Sequence, residues 1–133
     1  MPTLIIRDET PSGSTASSAA DLRLDFLTEE ITVRELIERR VYEEVQAYNT
    51  ARPGYFRGLV QPKDAEATLN GYRLRTQREI DWRAQAALAF DAFQRNGFCI
   101  LVGDRQVASL DDRIRLELET PVTFLKLVPL VGG

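Results

Sequence analysis

From Val122 the chain reads Val-Thr-Phe-Leu-Lys-Leu-Val-Pro-Leu-Val-Gly-Gly, an apolar run that leads directly into two glycines. Val122, Phe124, Leu125, Leu127 and Val128 are β-branched, aromatic or aliphatic, and only Thr123 and Lys126 interrupt them. That composition suits a central strand covered on at least one face. Pro129 has no backbone N–H for a sheet ladder, so the strand is expected to end there. Leu130, Val131, Gly132 and Gly133 then form a tail. Glycine lacks a Cβ, so this tail can thread a narrow slot and leaves the Gly133 carboxylate sterically bare. Many chains end in frayed glycines, but these two follow a core strand too closely to be a trailing linker.

The rest of the composition narrows the chemistry. At 133 residues the chain suits one domain, 1–133, with a single core. A net charge of -3 and a pI near 5.1 give no electrostatic reason to expect nucleic acid or an anionic membrane. No apolar run approaches the ~20 residues of a membrane helix, and no basic-then-apolar leader opens the chain. A cytoplasmic location is therefore expected. Cys99 is the single cysteine, so no intramolecular disulfide forms, in keeping with a reducing compartment. Histidine is absent, which removes Ser-His and Cys-His catalysis and every imidazole zinc site. No phosphate loop of the G-x-x-x-x-G-K-[ST] kind is present either. No catalytic residue and no metal ligand is expected.

Thr3-Leu4-Ile5-Ile6-Arg7-Asp8-Glu9 reads as a first strand, and residues 11–20, small and polar, as a mobile loop. Asp21-Leu22-Arg23-Leu24-Asp25-Phe26 alternates, which sets Leu22, Leu24 and Phe26 on one face of a second strand able to pair antiparallel with the first. Thr32-Val33-Arg34-Glu35 is a capping box. Behind it Val33, Leu36, Ile37, Val41, Val45 and Tyr48 make one stripe on a helix of about four turns. That helix is expected to stop near Asn49, with Arg34, Glu38, Arg39, Glu43 and Glu44 on its solvated face.

Residues 49–78 read as an ordered insertion with a short helix around residues 64–69 and turns at Pro53-Gly54, Gln61-Pro62 and Asn70-Gly71. Tyr55, Phe56, Leu59, Val60, Leu69, Tyr72 and Leu74 supply apolar mass, either to cover the core or to bind a partner. Asp81 can cap a second helix to about Asn96, with Trp82, Ala86, Ala89, Phe90 and Phe93 on its stripe and Asn96-Gly97 closing it. Residues 98–102 form a strand, Gly103-Asp104 a tight turn, and Arg105-Gln106-Val107 a short return strand. Cys99 sits among apolar neighbours as a small hydrophobe rather than a nucleophile. The stretch from Ser109 to Thr120 reads as a turn-rich link whose Asp111, Asp112, Glu117 and Glu119 are solvated loop acids without metal-ligand spacing.

Ile100-Leu101-Val102-Gly103-Asp104-Arg105-Gln106-Val107, the Leu110-Asp111-Asp112 turn, Val122-Thr123-Phe124 and the tail through Pro129 to Gly132-Gly133 together resemble the β-grasp sulfur carriers and their ubiquitin-like relatives. In that family a hairpin precedes a last strand and a proline-bearing diglycine tail. The resemblance covers residues 98–133 well, 3–48 in element order, and 49–78 not at all. It implies an α+β fold, a β-grasp (ubiquitin-like) mixed sheet with helices on one face and an insertion at about 49–78 after the first helix. It also implies a protein that is itself a substrate, with Gly132 and Gly133 as the reactive end and Pro129, Leu130 and Val131 as the recognised tail.

An adenylyltransferase resembling the ubiquitin-activating enzyme would adenylate Gly133 with its own ATP and magnesium, while this chain binds no cofactor. The expected fate is conjugation as a protein modifier of bacterial type, with a conjugating enzyme, an isopeptidase and target proteins as further partners. A sulfur carrier ending in a thiocarboxylate is the alternative. A second alternative is an interaction module whose diglycine is incidental, with 49–78 binding a partner or a second copy of the chain.

Overall fold

The computed structural model describes residues 1–9, 22–76 and 78–127. In chain order these form β1 (Thr3–Glu9), β2 (Leu22–Asp25), β3 (Glu30–Thr32), α1 (Val33–Ala51), β4 (Ala65–Thr68), β5 (Gly71–Leu74), α2 (Trp82–Gln94), β6 (Phe98–Val102), β7 (Arg105–Gln106), β8 (Arg113–Arg115) and β9 (Glu119–Lys126). The fold is α+β, with a mixed five-stranded sheet and two helices. Two compact units divide it: Met1–Leu36 with Ala92–Gly133, and Ile37–Asp91. Among the described residues no helix is long and apolar enough to cross a membrane.

The first unit holds the sheet, in the order β2-β1-β9-β6-β7. β1 pairs antiparallel with β2 and parallel with β9, and β9 pairs antiparallel with β6. Strand alternation turns Leu4, Ile6, Leu24, Phe98, Ile100, Val122 and Phe124 into one buried face. β9 starts at Glu119, three residues before the expected Val122, and ends at Lys126; the expected limit at Pro129 lies outside the described residues. Pro121 is tolerated because the ladder with β6 begins only at Val122, so no β6 carbonyl waits for the missing N–H.

The link from Ser109 to Thr120 is more ordered than a turn-rich connection. β8 lies within it and pairs with β3, setting Ile31 against Ile114, both buried. A three-residue strand carries one apolar residue, too few for an alternation to be read.

The capping box forms in full: the Glu35 N–H donates to Thr32 Oγ1 at 3.1 Å and the Thr32 N–H donates to Glu35 Oε1 at 2.9 Å. The next two free N–H groups of α1, on Val33 and Arg34, donate to the carbonyls of Asp112 and Leu110 at 3.0 Å. Thr32→Ala is expected to lower stability by about 1 kcal/mol, read as a shift in the urea midpoint at constant slope.

The second unit takes in residues 49–78 with most of α1 and α2. All six expected stripe residues of α1 are buried. The helix runs to Ala51, two residues past Asn49, and closes where Arg52 turns left-handed at φ 49° and its N–H donates to the Tyr48 carbonyl at 2.7 Å. Asn49 therefore does not stop the helix. It clamps Ile80, donating to its carbonyl at 3.0 Å and accepting its N–H at 2.9 Å.

The short helix expected around 64–69 is instead β4, the first half of a hairpin with β5. Its alanines favour helix, but so short a segment cannot nucleate one alone, and pairing with Gly71–Leu74 offers a ladder. Gly71 sits at φ 127°, where a side chain would be strained. Phe56 bridges Tyr72 through two backbone hydrogen bonds of 2.8 and 2.9 Å and meets the Tyr48 ring edge-on at 5.5 Å. A Cβ on Gly58 would stand 2.2 Å from that Phe56 ring, so the chain passes there only as glycine. Leu69 contributes no packing; it stands fully exposed at the hairpin tip.

In α2 the Arg83 N–H donates to Asp81 Oδ1 at 3.0 Å, the expected cap. Ala86, Ala89 and Phe93 are buried, with Trp82 and Phe90 half-buried. The helix closes in the first unit, where Asn96 takes the left-handed conformation at φ 64°. Its N–H donates to the Phe93 carbonyl at 3.1 Å and that of Gly97 to the Ala92 carbonyl at 2.8 Å.

Candidate functional site

The sequence directs attention to the end of β9, and the sheet holds that strand at its centre. β9 pairs with β1 as far as Leu125, opposite Glu9, and with β6 as far as Lys126, opposite Phe98. One residue further, the Leu127 N–H donates to the Gly97 carbonyl at 3.0 Å. The chain is thus fixed to the sheet up to Leu127, beside the end of α2. Pro129, Leu130, Val131, Gly132 and Gly133 lie outside the described residues, as does the loop read at 11–20.

The face of the sheet opposite the buried one carries Ile5, Cys99, Leu101, Thr123 and Leu125, all half-buried. The register sets Cys99 opposite Leu125 and Leu101 opposite Thr123, so the row is continuous across β6 and β9. Burial pushes the Cys99 thiol above its ordinary 9.0. A thiol held protonated is a poor nucleophile, and Cys99 serves as a small apolar member of that row.

Three of the four acids weighed for metal binding are engaged elsewhere, and Glu117 is exposed. Asp112 Oδ2 accepts the N–H groups of Ala108 and Ser109 at 2.8 and 3.1 Å, and Asp111 faces Arg34 at 3.5 Å. Glu119 belongs to β9 and pairs with Arg23 at 2.9 Å. Among the described residues no group of three or more His, Cys, Asp or Glu side chains could hold a metal ion.

One cluster in the second unit was not anticipated. Arg40 is buried, and its Nε donates to Glu44 Oε2 at 2.9 Å. Glu44 Oε1 accepts the Leu59 N–H at 3.0 Å. Glu44, expected on the solvated face, is therefore an interior residue: 12% of its side chain is exposed and 5% of that of Arg40. Burial, and then the Glu44 carboxylate, push the Tyr72 hydroxyl above its ordinary 10.0. Gln85, also buried, donates to the Val60 carbonyl at 2.8 Å. Among the described residues no buried side-chain polar atom lacks a partner. A saturated network of this kind fixes a backbone path and leaves no group free for catalysis. The four-residue step from Arg40 to Glu44, beside the apolar stripe, was the signal available in the sequence.

No family model, curated protein or solved structure matches this chain.

Proposed function

We propose that this chain is a β-grasp, ubiquitin-like protein modifier whose Gly133 carboxylate is adenylated by an activating enzyme and then conjugated to target proteins. The observation that carries the reading is the strand order. Counted along the chain, the strands of the main sheet lie 2-1-5-3-4, with the last one central and parallel to the first. A mixed sheet with its last strand central is what the reading from the sequence expects, and the diglycine follows that strand in the sequence. Leu127 is the last of the described residues and is hydrogen-bonded to Gly97, and Gly133 lies six positions further along the sequence.

In this reading the Gly133 carboxylate attacks the α-phosphorus of ATP bound with magnesium on the partner, and pyrophosphate leaves. An enzyme thiol then displaces AMP, and a target lysine amine displaces the thiol to leave an amide. Gly132 and Gly133 pass the narrow channel because neither bears a Cβ, while Pro129, Leu130 and Val131 are gripped along it. The half-buried row of Ile5, Cys99, Leu101, Thr123 and Leu125 is the face that docks on the activating enzyme. The exposed hairpin within 49–78 adds surface that a minimal sulfur carrier does not need.

The test is mass spectrometry of the protein and its conjugates recovered from its native cells. Gly132-Gly133 remnants on lysines of other proteins are expected, with Gly133 as the free carboxyl end of the unconjugated chain. Replacement of one terminal oxygen by sulfur would assign a sulfur carrier instead, and finding neither overturns both. Gly133→Ala is expected to leave the urea midpoint unchanged, since one methyl group four residues past Pro129 adds and removes little packing, and to abolish adenylate formation in an ATP–pyrophosphate exchange assay. Undiminished exchange by that variant counts against the reading.

A further inference from the structure

We draw no further inference here: the strongest candidate, the surface patch of the second unit where Tyr42 of α1 and Trp82 of α2 meet edge-on at 5.3 Å with the Arg83 guanidinium 4.8 Å from the Trp82 ring, is an exposed aromatic face, and nothing in the structure shows what covers it.

Discussion

Phe124→Ala is expected to destabilise the protein by about 3–5 kcal/mol, the range for emptying a buried aromatic site. Phe124 is wholly buried in the central strand, with its ring 5.7 Å from that of Phe98, which in turn lies 5.8 Å from Phe93. The row of rings ties β9 to β6 and to the end of α2. Neighbouring strands on both sides hold the backbone, so the site cannot collapse to refill the space. Urea denaturation at constant slope measures the effect. A loss under about 1 kcal/mol would mean that the ring is not the packing centre its burial indicates.

Glu44→Ala is expected to be comparably damaging, at about 3–5 kcal/mol, because it strands a buried charge. The Arg40 guanidinium would lose its carboxylate, and the Leu59 N–H would lose its acceptor. Replacing both partners at once, Arg40→Met with Glu44→Leu, should cost far less than Glu44→Ala alone, since two desolvated charges disappear together. A double variant as unstable as the single one would show that the pair's worth lies in shape rather than charge.

The same cluster sets an alkaline limit. Tyr72 holds its proton to higher pH when folded than when unfolded, so just above pH 10.0 the folded state binds the extra proton. Stability falls as pH rises through that window. Glu44→Gln removes the second cause of the shift and should narrow the window, as followed by tyrosinate absorbance.

Much of the frame was legible from residue patterns. The capping box at Thr32 and Glu35, the stripe from Val33 to Tyr48, the Asp81 cap and the Gly103-Asp104 turn all depend on neighbours within a few positions, where local sterics and hydrogen bonding decide. β1, β2 and β6 were legible because each carries several apolar residues in a row or in alternation. β3, β8 and the hairpin at 65–74 were not. Three- and four-residue strands hold too few apolar side chains for a period, and alanines in β4 point locally to helix. The candidate tail was read from the residue types of Pro129 to Gly133 alone, and these lie outside the described residues.

The sequence by itself determined the two long helices, the capping of their first turns, the strands β1, β2 and β6, and that no histidine-based chemistry is available, because these are properties of neighbouring residues and composition. Tertiary structure alone decided that β9 lies between β1 and β6, that Glu44 turns inward to meet Arg40 and Leu59, and that Met1, Leu27 and Leu118 share one end of a sheet. Each of these joins residues far apart along the chain or sets a charge against its local pattern. Such pairings are fixed by what the completed fold can bury, pair and satisfy.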